Sequence, residues 1–176
     1  MRAIYRVWQG LRSLAAKKRR EDWALVERYL SAPERSLFEG MQAADQQHGV
    51  RVLRSLLARG ITDRSLLKAA LLHDVGKSSC QIRTFHRAAA VLATALLGGL
   101  PRFLSDNDRG GCFTAFYVIA NHPKIGATML ARAGSEARVC RLTELHQMEP
   151  RAVETVSDGD WVRWALALLR QADNES

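Results

Sequence analysis

Cysteine is scarce in this chain: three among 176 residues (Cys80, Cys112 and Cys140), with no CxxC pair. That excludes a disulfide scaffold, and reduced thiols in a cytoplasmic protein are expected instead. Apolar runs are short. The longest, Ala88 to Leu100, falls below the ~18 to 20 residues of a membrane span. The first residues carry Arg2 and Arg6 but no apolar block or small-residue cleavage site, so no secretory leader is expected. Alternating β-branched runs are also missing, as are fixed-period repeats and low-complexity linkers.

Acidic residues are absent from the first 20 positions, which hold seven basic ones (Arg2, Arg6, Arg12, Lys17, Lys18, Arg19 and Arg20). The other 19 basic residues nearly balance all 18 acidic ones over 21–176. The net charge of +8 thus describes one segment, and the body lacks the spread of positive charge a nucleic-acid binder needs. Ile4, Trp8, Leu11 and Ala15 form the apolar stripe of an amphipathic helix inside that basic segment. It packs on the domain by its Trp8 face, lies on anionic lipid as a peripheral membrane contact of residues 1–20, or attracts polyphosphate or nucleic acid. Residues 1–30 are read as this basic appendage and 31–176 as the main domain.

What remains is rich in Ala, Leu, Arg, Glu and Gln, and predicts an all-α fold of about seven to nine helices. Helices are expected over Glu21–Leu30, Glu34–Asp45, Gln46–Arg59 and Arg64–Asp74, the last with Leu67, Ala70 and Leu71 inward. A long, mostly buried helix follows from Thr84 to about Leu104, then a loop over Ser105–Gly111. Pro123 reads as a helix start capped by Asn121 or His122. Glu136–Gln147, capped by Ser135, and Trp161 to about Asp173 complete the set, with Trp161 and Trp164 as core. Ser31 and Asp63 are N-cap candidates, and Gly60 suits a left-handed helix end.

Five histidines are present: His48, His73, His86, His122 and His146. His73 is followed by Asp74 after a strongly apolar segment, so the pair is expected inside. A buried carboxylate needs a cation or donors, and both side chains can reach one ion only where the helix ends. Gly76 supplies backbone freedom for that ending. Imidazole with carboxylate suits manganese, iron, nickel or zinc. His86 matches no such position and reads as surface or core filler. Asp106 and Asp108 lack EF-hand spacing and read as a solvated turn.

His48, then His73-Asp74 after 24 intervening residues, then Asp173, resembles the H…HD…D signature of the HD superfamily of metal-dependent phosphohydrolases. The segment AALLHDVGK (Ala69–Lys77) is similar to that family's core motif, and Asn121-His122-Pro123-Lys124-Ile125-Gly126-Ala127 resembles the His-Pro-x-x-Gly-Ala segment of its two-metal subfamilies. His146 stands where those subfamilies carry another histidine. They include HD-GYP cyclic-dinucleotide phosphodiesterases and HD-type diadenosine tetraphosphate hydrolases. The chain departs from HD-GYP members in having His146-Gln147 for two adjacent histidines, and Met148-Glu149-Pro150-Arg151 in place of Gly-Tyr-Pro. The pattern is closer to the nucleotide-cleaving type.

The resemblance implies that His48, His73, Asp74 and Asp173 hold a first divalent ion and that Asp74 bridges to a second held by His122 and His146. It implies hydrolysis of a phosphate ester or phosphoanhydride of a nucleotide-like small molecule through a metal-bound hydroxide. Asp74 and Lys77 are the catalytic candidates. Lys77 and Arg51, at i+3 from His48, are the phosphate-binding ones. The rival expectation is a domain that binds a nucleotide or partner protein without turnover and keeps a structural metal site.

Overall fold

A computed structural model describes residues 20–97, 101, 104, 110, 113–148, 153 and 159–176. Residues 1–19, which hold nearly all of the expected basic helix of residues 1–20, the aspartates 106 and 108, and Cys112 lie outside the described residues.

The described residues are helical, with no strand among them. We label α1 (20–29), α2 (Ala32–Glu39), α3 (Ala43–Ala58), α4 (Arg64–Leu72), a 3-10 helix (Val75–Ser79), α5 (Thr84–Leu97), α6 (Thr114–Arg132), α7 (Ala137–Leu145) and α8 (Gly159–Asn174). No helix among the described residues is long and apolar enough to cross a membrane.

α4 is the centre of the fold. Every residue from Ser65 to Leu72 is buried, so this helix has no solvent face, as expected of one packed on several sides. The periodic reading placed only Leu67, Ala70 and Leu71 inward. The rest of the turn is buried because α3, α7 and α8 all pack on α4. Leu53 and Leu56 of α3, Leu142 and Leu145 of α7, and Leu166 and Leu169 of α8 close around it. Each such side chain contributes about 1.5 to 3 kcal/mol on leaving water. α1 joins this core through Val26, Tyr29 and Leu30.

Lys68, on α4, is buried with its charge answered: Nζ lies 3.3 Å from Glu34 Oε1 and 3.1 Å from Glu136 Oε1. Glu34 also accepts from the Ser31 N–H at 2.8 Å and the Ser135 hydroxyl at 2.9 Å. Burial raises the Glu34 pKa, but these donors and the Lys68 charge outweigh it and hold the carboxyl below its ordinary value. The network joins α2, α4 and the start of α7.

Several local signals hold. Ser31 heads α2 in a capping box with Glu34. Asp63 Oδ1 accepts from the Leu66 N–H at 2.9 Å and caps α4. Gly60 takes φ 76° after α3.

Other boundaries move, each for a physical reason. The α2/α3 break falls at Gly40–Gln42 rather than Asp45/Gln46, because the Gln46 amide reaches back to the carbonyls of Phe38, Glu39 and Met41 and ends α2 there. Glu136, not Ser135, occupies the α7 N-cap, since the Ser135 hydroxyl is engaged by Glu34. α5 is not mostly buried: Phe85, Leu92 and Leu96 are exposed. Trp161 packs against the core and donates from Nε1 to Asp63 Oδ2 at 3.0 Å, but Trp164 faces out because α8 turns Val162, Ala165, Leu166 and Leu169 inward instead.

Candidate metal centre

Two close backbone approaches build the site. Gly76 lies against α6: a Cβ there would stand 2.1 Å from the His122 carbonyl oxygen and 2.7 Å from the Gly126 nitrogen. Gly49 lies against α4, where a Cβ would stand 2.8 Å from the Leu71 carbonyl oxygen. Only hydrogen fits at either position. The first approach seats the 3-10 turn after Asp74 on the His122 turn of α6. The second brings His48 of α3 beside His73 at the end of α4. Gly76 is therefore required for space rather than for the unusual backbone angles expected of it, since its φ is not positive.

Pro123 does not start a helix. It lies inside α6, where proline removes one backbone donor and leaves the carbonyl four residues earlier without its bond. That carbonyl is Ile119, and His122 Nδ1 lies 2.8 Å from it. The imidazole replaces the missing donor.

His73 and His146 repeat the arrangement at helix ends. Each follows the last residue of its helix, α4 and α7, where carbonyls run out of helical donors. His73 Nδ1 lies 3.1 Å from Ala70 O, and His146 Nδ1 lies 2.7 Å from Thr143 O. A carbonyl can only accept, so in all three residues Nδ1 carries hydrogen and donates. In the neutral rings, Nε2 then presents its lone pair. Those three Nε2 atoms are buried and have no hydrogen-bond partner.

They converge on one carboxylate. Asp74 Oδ1 lies 3.2 Å from His122 Nε2 and 3.8 Å from His146 Nε2, and Oδ2 lies 3.7 Å from His73 Nε2. Asp173, in the last turn of α8, adds Oδ1 at 2.6 Å from His48 Nε2 and 3.5 Å from His73 Nε2. Ring centroids of His48, His73, His146 and His122 follow one another at 5.3, 5.2 and 5.2 Å.

The result is two triads sharing a residue: His48, His73 and Asp74, and Asp74, His122 and His146. Within each, one ligand atom per residue lies within 4.8 Å of the others. Uncompensated burial of four such polar groups would cost several kcal/mol. Orphaned Nε2 lone pairs facing a carboxylate are the donor set of a divalent metal ion. This cluster could hold one.

The electrostatics agree. Burial raises the Asp74 pKa, but the charges of His73 and Lys77 and the contact with His122 outweigh it and keep the carboxylate well below its ordinary range. Burial lowers His73, yet Asp74 and Asp173 together bring its pKa above the ordinary value. Burial first, and then the His73 charge, push His146 down to about 3, so it stays neutral. Asp173 is held below its usual range, because the contacts with His48 and His73 outweigh the effect of burial.

Lys77 and Arg51 sit differently. Lys77, in the 3-10 helix, places Nζ 2.6 Å from Asp74 Oδ2, at the edge of the cluster. Arg51 is exposed on α3, and its Nε donates to the Ser176 carbonyl at 2.9 Å. With the Arg59–Glu175 pair it ties the residues beyond Asp173 to α3. His86 is buried outside the cluster against Phe116, and its Nδ1 accepts from the Arg83 N–H at 3.1 Å. Its Nε2 is also buried without a partner, but with Nδ1 accepting, Nε2 of the neutral ring carries the hydrogen and offers no lone pair to a metal. Gly49, Ile119 and Arg170 escaped the sequence reading. Gly49 stands beside His48 and Ile119 stands four residues before Pro123, so both had a local signal, whereas Arg170 acts across 24 residues and had none.

No family model, curated protein or solved structure matches this chain.

Proposed function

We propose that this protein is a metal-dependent phosphohydrolase of the kind its H…HD…D pattern resembles, cleaving a phosphate ester or phosphoanhydride of a nucleotide-like molecule. One observation carries the reading: three buried imidazoles, each with Nδ1 tied to a carbonyl at i−3, aim unpartnered Nε2 atoms at the single carboxylate of Asp74. A structural histidine has no need of this common arrangement, whereas a ligand set does.

His48, His73, Asp74 and Asp173 would hold one ion, and Asp74, His122 and His146 a second. Manganese, iron, nickel and zinc all suit this nitrogen and carboxylate set. When bound, the ions would supply Lewis acidity and lower the pKa of water at the site. The chain's own groups do the rest. Asp74 stays ionised and holds the two triads together. The helix-end carbonyls of Ala70 and Thr143, with Ile119, fix the imidazole rings. Lys77 is the cation best placed to meet a phosphate oxygen, since its ammonium already lies at the edge of the cluster.

The test starts with metal content on protein purified without chelator, for wild type and Asp74→Asn. Hydrolysis is then screened over mononucleotides, dinucleoside polyphosphates and cyclic dinucleotides with added Mn²⁺ or Fe²⁺. Ions retained by the wild type and lost from the variant, with turnover that depends on them, are the expected result. Ions without turnover of any phosphate compound would favour a binding domain instead. No metal uptake even in excess would remove the catalytic reading.

A further inference from the structure

His146 sits at a helix end that supplies no cation of its own. The last turn of α7 carries no basic residue, although its terminal carbonyls need donors. The His146 ring serves Thr143 O and the Met148 N–H serves Leu145 O, and further donors come from another helix. Arg170 of α8 extends Nε to His146 O at 2.9 Å and one terminal nitrogen to Leu145 O at 3.0 Å and to Met148 O. A planar guanidinium can serve several carbonyls at once in a fixed geometry, which an ammonium cannot. Arg170 stands one helical turn before Asp173, and Asp173 Oδ1 is the oxygen beside His48 and His73.

We propose that Arg170 is a positioning residue that clamps the His146 end of α7 to α8 and so keeps the two halves of the metal centre in register. These bonds go to backbone carbonyls rather than to a side chain of either triad. Arg170 acts on the backbone of His146, while its own helix carries Asp173 to the other triad. The inference rests on the metal-centre reading for its binding consequences, but the clamp itself is separately measurable.

The experiment uses the full chain with Arg170→Met and Arg170→Lys, and Arg163→Met as a control for loss of an exposed arginine on the same helix. Two readouts are taken. The first is the imidazole nitrogen resonances of all histidines without added metal. The second is Mn²⁺ affinity by titration, in the wild-type, His48→Ala and His146→Ala backgrounds. Outer contacts of this kind change metal affinity by about 10- to 100-fold. We expect Arg170→Met to shift or broaden the His146 ring signals and leave those of His86 in place. It should weaken Mn²⁺ about tenfold or more in the His48→Ala background. In the His146→Ala background it should change affinity less than about twofold, because the residue it acts through is gone. Arg170→Lys should fall between, and Arg163→Met should match wild type.

An unchanged His146 spectrum in Arg170→Met overturns the clamp. So does an equal loss of Mn²⁺ in both backgrounds, which marks a general structural role. Should Arg170→Met not fold, Arg170→Lys decides by the same two readouts. Should the wild type bind no Mn²⁺, the metal-centre reading fails by itself, and the His146 spectrum still decides whether Arg170 positions that residue.

Discussion

Gly76 and His122 meet backbone to backbone: a Cβ on Gly76 would fall 2.1 Å from the His122 carbonyl oxygen. The contact ties the turn after His73-Asp74 to the turn of α6 that carries His122. Two motifs about 50 positions apart in sequence are thus parts of one packing event.

Gly76→Ala is expected to be costly, because the obstacle is backbone and cannot rotate away. Overpacking of this sort costs roughly 1 to 3 kcal/mol or more, and here the His/Asp cluster would be distorted with it. Gly49→Ala, at 2.8 Å from the Leu71 carbonyl, should fall in the same range. Gly60→Ala meets open space at φ 76° and should cost only about 1 kcal/mol. Urea titration of the three variants checks the order. A Gly76→Ala protein as stable as wild type would contradict it.

Removing one histidine from each triad should separate the ions. If the two triads each take an ion as proposed, His48→Ala and His146→Ala are each expected to bind one Mn²⁺ per chain fewer than the wild type, while Asp74→Asn, at the shared position, binds neither at the wild-type affinity. Stoichiometry by calorimetry reads this directly. Equal loss of both ions from His146→Ala would mean that the triads are not independent.

Lys77 lies beside Asp74 but is not one of the two triads. Lys77→Met should leave Mn²⁺ stoichiometry intact and lower turnover of a phosphate substrate by about 10- to 100-fold, an effect of about 1.4 to 2.7 kcal/mol on the barrier. Loss of metal along with turnover would show that Lys77 serves to hold Asp74 rather than to meet phosphate.

The Glu34 network gives a pH dependence away from the His/Asp cluster. The Glu34 pKa is lowered in the folded chain from an ordinary 4.5. A depressed carboxyl stabilises the fold fully above its unfolded pKa, and the contribution fades as pH falls from there toward the folded pKa. Wild-type unfolding free energy should therefore decline below about pH 4.5, and Glu34→Gln should decline less steeply. At pH 7 the variant should be weaker by about 1 to 3 kcal/mol, because Lys68 keeps Glu136 but loses its buried partner. Parallel curves for the two proteins below pH 5 would refute the linkage.

Much of the fold was legible locally. The Asp63 cap, the Ser31 capping box and the Gly60 helix end are interactions within a few residues, so the sequence carries both partners. Pro123 and the α2/α3 boundary misled. In each case a side chain that the local pattern cannot place, His122 or Gln46, supplies the donors that decide where the helix runs. Trp164 misled for a related reason: it is apolar by type, but packing on α3, α4 and α7 turns the side of α8 that carries Val162, Ala165, Leu166 and Leu169 inward.

By itself the sequence determined the all-α class, most helices, and the presence of a histidine and aspartate set compatible with a metal, because composition, caps and residue types are local properties. Only the tertiary structure decided that α4 is central, that Lys68 is buried between two carboxylates, and that His48, His122, His146 and Asp173 close on His73-Asp74. Those outcomes depend on how closely helices approach. Two glycines set that distance at the centre, and an arginine from α8 closes the end of α7, across separations that no local pattern spans.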